Sequence, residues 1–161
     1  MFLSSFFCLA SHLYYLAKLG VMVNCGVYIL DDNLFFNKML TYAVDKYMKH
    51  YFESPLFNYG IHSYTDAKKI MKASRDNHSI YFLDYYLGKE ATAKDILLNI
   101  ANPSDEKQSI AVLSRKSNNE TVGETYLMGA STFICKDKNV IHKSITFLKE
   151  TLNNYGVVSN K

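Results

Sequence analysis

Four short apolar runs, at residues 26–30, 79–83, 109–113 and 132–135, are each followed at once by polar or charged residues. Runs of this length, rich in Val, Ile, Phe and Tyr, read as strands buried on both faces of a sheet. Residues 27–30 end at Asp31-Asp32-Asn33, a loop-forming triplet. From 34 to 52, Phe36, Met39, Leu40, Ala43, Tyr47 and Tyr51 fall at spacings of three and four, which predicts a long amphipathic helix. Residues 59–64 form a weaker strand, and Thr65-Asp66 caps a short helix over 67–73. Residues 80–83 form the clearest buried strand. Residues 93–101 read as the next helix, closed by Pro103. A strand at 110–113, a helix at 120–128, a turn at Gly129-Ala130 and a strand at 132–135 follow. The last helix, 140–155, places Ile141, Ile145, Leu148 and Leu152 on one face and stops at Gly156.

The resulting order is strand then helix, repeated five times. It predicts an α/β fold: a five-stranded parallel sheet with helices on both faces. Right-handed crossovers bring the C-terminal ends of such strands to one edge. Asp31-Asp32, Asp84, Ser114 and Lys136 each stand at or just past the end of an apolar run, so the topology gathers them in one crevice. Clustered carboxylates with a hydroxyl and an ammonium outline a divalent-cation and phosphoryl site, because carboxylates in close company need a compensating cation and Mg2+ prefers oxygen ligands. Taken singly, each of these residues has a plainer role: an Asp at a strand end is commonly a cap or turn former, and a loop Lys is commonly solvated. It is their common order along the chain that favours a shared site.

Composition narrows the reading. With 161 residues and 48% hydrophobic content the chain can bury one full core and is short for two domains. A net charge of +3, with acidic and basic residues interleaved, excludes a strong nucleic-acid surface, so no direct nucleic-acid binding is expected. Cys8, Cys25 and Cys135 have no metal-binding spacing, which suits a reduced, cytoplasmic setting.

The segments VYILDDN, IYFLDYYLG, IAVLS and GASTFICKD resemble, in order and spacing, the four signature segments of the receiver domains of two-component response regulators. The resemblance covers residues 27–155. The wording YFLD and the Lys136-Asp137 pair, where a Lys-Pro pair is usual, are similar to receivers of quorum-sensing regulators that carry a LytTR DNA-binding domain; no such domain follows here. The resemblance implies a flavodoxin-like receiver fold in which Asp84 is the nucleophile that accepts a phosphoryl group. It implies Mg2+ held by Asp32, Asp84 and the backbone carbonyl of Tyr86, with Asp31 acting directly or through water. Lys136 would pair with Asp84 and then with phosphoryl oxygens, Ser114 would donate its hydroxyl to them, and Phe133 would be the aromatic that changes rotamer when that hydroxyl moves. The implied partners are a histidine kinase or histidine phosphotransfer protein, a downstream protein, and a second copy of the chain. The chain is then a signalling domain and not an enzyme beyond its own phosphorylation and dephosphorylation. The alternatives are an interaction module of the same fold that never takes phosphate, and the receiver part of a LytTR-type regulator lacking its DNA-binding domain. A phosphohydrolase of the haloacid dehalogenase type ranks last, because it expects a second Asp where Tyr86 stands.

The expected division is an N-terminal segment at 1–25, the receiver domain at 26–156 and a tail at 157–161. In the first segment Ser4, Ser11 and Lys18 repeat every seven residues beside Ser5 and His12, leaving Leu3, Phe6, Ala10, Leu13 and Ala17 on an apolar face. Such a helix suits docking on the domain, dimerisation, or membrane-surface association through residues 1–19. The competing expectation is translation from Met22.

Overall fold

The computed structural model describes residues 23–51, 57–72, 76, 78–88, 91–102, 104–116 and 118–155. The expected helix in residues 1–22, the stops at Pro103 and Gly156, and the tail at 157–161 lie outside the described residues.

The elements are β1 (Val23–Leu30), α1 (Leu34–Tyr51), β2 (Phe57–Tyr64), α2 (Ala67–Met71), β3 (His78–Asp84), β4 (Tyr86–Leu87), β5 (Ala91–Thr92), α3 (Ala93–Ile100), β6 (Gln108–Ser114), α4 (Asn119–Leu127), β7 (Thr132–Cys135) and α5 (Val140–Asn154). The main sheet has five strands in the order β2-β1-β3-β6-β7, and every pairing in it is parallel. The expected fold is therefore the observed one. β1 begins at Val23, so Val23, Asn24 and Cys25, assigned from sequence to the leading segment, belong to the sheet and pair with β2. Their mixed polarity hid them from an apolar-run reading.

Strand alternation builds two cores. Val27 and Ile29 of β1 and Ile80 and Phe82 of β3 pack with Leu40, Val44 and Met48 of α1 and with Val140, Leu148 and Leu152 of α5. Their neighbours Tyr28, Leu30, Tyr81 and Leu83 pack the other way, with Ile70 of α2 and Ile96, Leu97 and Ile100 of α3. Both faces of the central strands are covered, which is why those strands read as unbroken apolar runs. At about 25 cal/mol per Å2, each such buried Leu or Ile contributes about 1.5–3 kcal/mol over an exposed one.

Local signals set the ends. Asn33 caps α1, its Oδ1 accepting the Phe36 N–H at 3.0 Å; Asp66 caps α2 through the Lys68 N–H at 2.8 Å; Asn118 caps α4 through the Thr121 N–H at 2.7 Å. α4 ends where Gly129 takes φ 96°, its N–H bonding the Tyr126 carbonyl while the Ala130 N–H bonds the Thr125 carbonyl. This paired closure needs the left-handed backbone that glycine supplies. The small antiparallel ladder of β4 and β5, Tyr86 with Thr92 and Leu87 with Ala91, was not foreseen, since two-residue strands leave no periodicity to read.

Candidate functional site

The sheet order creates the site before any side chain is considered. The helices after β1 and β3, α1 and α3, leave to opposite faces, so a crevice opens between these two strand ends. Asp31 and Asp32 follow β1 directly, Asp84 is the last residue of β3, Ser114 the last of β6, and Lys136 the first after β7.

One carboxylate oxygen from each of Asp31, Asp32 and Asp84 lies within 4.8 Å of the others. The Lys136 Nζ reaches across to Asp31 Oδ2 at 2.5 Å and Asp84 Oδ2 at 2.8 Å, with all three side chains less than 10% exposed (7%, 3% and 9%). Lys136 is thus shared between two acids, and the pairing with Asp31 is the shorter. The ammonium also sits over the Phe36 ring, 4.5 Å from its centre.

The two members of the acidic pair differ. Asp31 is buried, and both its oxygens are already engaged: Oδ2 by Lys136 and Oδ1 by the Asn33 N–H at 3.0 Å. Asp32 is exposed and has no ion pair among the described residues, so its carboxylate is the free one. For Asp84, burial is the main force lifting the carboxyl from 3.8 to about 6, helped by the Asp31 charge and opposed by Lys136 and the Tyr86 N–H. Within ion-pair distance the three carboxylates have a single ammonium among the described residues, and the surplus negative charge is what a divalent cation would balance. An all-oxygen donor set with one free acid at the mouth fits Mg2+.

A crevice of about 220 Å3 opens above this cluster, lined by Asp32, Asn33, Phe36, Asp84, Tyr86, Arg115 and Lys136. Tyr86 therefore borders the crevice. Tyr85 turns away into the core, 6% exposed, so only one of the two bulky tyrosines faces the opening. Asp137 is likewise turned away, accepting the Asn139 N–H at 2.8 Å and pairing with Lys143 at 2.7 Å. Ser114 is fully buried and is not among the crevice-lining residues; its Oγ accepts the Lys116 N–H at 3.2 Å. Phe133 is half-buried against the core shared by Tyr28 and Leu97, and its N–H donates to the Tyr126 hydroxyl at 3.2 Å.

Two residues of this region were missed from sequence. Asn37, 1% exposed, donates from Nδ2 to the Asp31 carbonyl at 3.3 Å and the Tyr64 carbonyl at 2.7 Å, and accepts from the Ser63 hydroxyl. It fixes the turn that carries Asp31 and Asp32. The available signal was an Asn beside Phe36 and three positions before Leu40, on the apolar stripe of a helix. Arg115, which follows Ser114 directly, was not singled out from sequence.

No protein-family model and no curated protein matches the chain. Solved structures do. A two-component response regulator from Clostridium difficile superposes with a TM-score of 0.61 at 11% identity, over 80% of this chain and 96% of that one. The beryllofluoride-activated receiver domain of DrrB, a protein of Thermotoga maritima, gives 0.60 at 15% identity, over 83% and 99%. The signal receiver domain of a DNA-binding response regulator from Colwellia psychrerythraea gives 0.56 at 19% identity, over 78% and 98%. Strand order and layering agree with these likenesses: the chain has the fold of a response regulator receiver domain.

Proposed function

We propose that this chain is a phosphoacceptor receiver that takes a phosphoryl group on Asp84 with Mg2+ bound and signals through a change in its surface. The observation that carries the reading is Asp84 itself, a buried carboxylate at a strand end, pinned by Lys136 and within 4.8 Å of two further carboxylates at the mouth of an open crevice.

In the transfer, an Asp84 carboxylate oxygen attacks phosphorus and forms the new P–O bond. The bond from phosphorus to the donor breaks, and its electron pair leaves with the donor: the imidazole nitrogen of a phosphohistidine, or the carboxylate of an acyl phosphate. Asp32 and Asp84, with the Tyr86 carbonyl, would hold the cation, and Asp31, with both oxygens engaged, acts behind them. When bound, Mg2+ offsets the repulsion between incoming phosphate and the acidic cluster. Lys136 holds Asp84 in place before transfer and faces the phosphoryl oxygens after it. Asn37 keeps the Asp31-Asp32 turn at the crevice rim. Catalysis of this kind is positioning and charge compensation.

The donor is then a histidine kinase or histidine phosphotransfer protein, the setting cytoplasmic, and the output a downstream protein or a second copy of the chain. The beryllofluoride-activated receiver of NtrC4 is a dimer, and it has this fold at a TM-score of 0.59. No helix among the described residues is long and apolar enough to cross a membrane.

A second reading, an interaction module of this fold that never takes phosphate, is favoured by Ser114 standing outside the crevice lining. Mass spectrometry after incubation with acetyl phosphate and Mg2+ decides. One phosphoryl adduct, lost in Asp84→Asn and without Mg2+, supports the acceptor; an unmodified wild type refutes it.

A further inference from the structure

Resting on the acceptor reading, we infer that Arg115 is a phosphoryl-binding residue, the second cation of the crevice and the one held in reserve for the anion. Lys136 is shared between Asp31 and Asp84 at rest; transfer removes the Asp84 carboxylate charge but adds roughly two phosphoryl charges, so the crevice gains net negative charge that Lys136, still paired with Asp31, does not offset alone. Arg115 lines the same crevice as Asp32 and Asn33, is exposed, and has no ion pair among the described residues. Among the described residues its guanidinium is therefore uncommitted.

Its position follows from its neighbours in the chain. Ser114 ends β6 in register with Cys135 of β7, and the Lys136 N–H donates to the Ser114 carbonyl at 2.8 Å. The Lys116 N–H closes back on Ser114 Oγ, which directs the backbone of residue 115 around the crevice rim. A planar fork with several N–H donors matches two oxygens of a phosphoryl group, which an ammonium meets only as a point charge. The division of labour follows: Lys136 holds the carboxylates in the resting state, and Arg115 receives the phosphoryl oxygens that the acidic cluster would otherwise repel. The preferred ligand class is a tetrahedral anion with at least two free oxygens, or its trifluoride mimic.

Beryllofluoride titration of the full chain with saturating Mg2+, followed by 19F NMR, tests this, with Mg2+ affinity measured separately by thermal shift. Arg115→Gln should weaken beryllofluoride binding by about fivefold or more, while Arg115→Lys recovers part of the loss. Lys116→Gln, a neighbouring cation outside the crevice, should match wild type. Mg2+ affinity should be unchanged or higher in Arg115→Gln, since a nearby positive charge is removed. Equal beryllofluoride affinity in Arg115→Gln and wild type, or an equal loss in Lys116→Gln, overturns the role of Arg115 and leaves the acceptor reading standing. A wild type that binds Mg2+ but no beryllofluoride overturns both.

Discussion

Replacing Asp84 by Asn should stabilise the metal-free fold at neutral pH. Asp84 titrates near 6 in the folded chain against 3.8 ordinarily, chiefly because it is buried and secondarily because Asp31 faces it. A raised carboxyl pKa means the folded state binds the proton more tightly than the unfolded state. The contribution to stability is fully present below 3.8 and is lost as pH rises through 6. The difference corresponds to about 3 kcal/mol at pH 7. Asn imitates the protonated acid in size and charge, and Lys136 keeps its partner Asp31. Thermal melts in a chelator should therefore place Asp84→Asn about 6–12 °C above wild type at pH 7 for a domain of this size. The gap should close as pH is lowered toward 4. Millimolar Mg2+ should narrow it from the other side by stabilising wild type alone. An Asn variant that melts at or below wild type at pH 7, or a gap independent of pH, would refute the account of a carboxylate held at a cost.

Lys136→Ala should abolish phosphorylation and, because it leaves Asp31 and Asp84 buried and unpaired, should also lower stability by about 3–5 kcal/mol in chelator, as measured by urea unfolding. Lys136 carries this cost because it is buried between the two acids and not solvated as a loop lysine commonly is. Asn37→Ala should cost about 1–3 kcal/mol in the same assay by stripping the Asp31 and Tyr64 carbonyls of a donor, and should weaken Mg2+ binding by moving Asp32; native Mg2+ affinity would show the turn holds without it. Ser114→Ala should accept phosphate on Asp84 but transmit it poorly, and Phe133→Ala should accept it normally and lose the response. Amide exchange on α4 with and without beryllofluoride reads both, and unchanged protection in wild type would sink the switch.

The fold was legible because the central strands are buried on both faces. Residues such as Ile80, Phe82, Val112 and Leu113 must all be apolar, and that constraint shows in one sequence. The acidic cluster was legible for a related reason: parallel topology converts positions at strand ends into neighbours in space, so Asp31, Asp32, Asp84 and Lys136 could be grouped by order alone. Partnership was not legible. That Lys136 lies closer to Asp31 than to Asp84, that Asp137 turns to Lys143, and that Ser114 stands behind the crevice wall depend on side-chain directions that periodicity does not encode. Asn37 was invisible because its role is to satisfy two carbonyls of other segments, a debt that appears only once β1 and β2 are side by side.

The two flanks of Asp84 are unequally braced. After β3, the Tyr85 N–H joins the Leu113 carbonyl at 2.8 Å and its carbonyl receives the Ala93 N–H at 2.9 Å, while Tyr86 and Leu87 ladder onto β5. Asp95 then accepts from both the N–H and the hydroxyl of Thr92, locking the ladder to the first turn of α3. Across the crevice, between β6 and α4, the described anchors are the Lys116 N–H on Ser114 and the cap of Asn118. Among the described residues the denser bracing therefore lies on the α3 side, while α4 is tied to α3 by the Lys94–Glu124 pair and to β7 through the Tyr126 hydroxyl. A load applied at Asp84 thus meets a ladder and a capped helix start on one side and reaches α4 through side chains on the other, so its route outward is written into this bracing and not into the chemistry of the load.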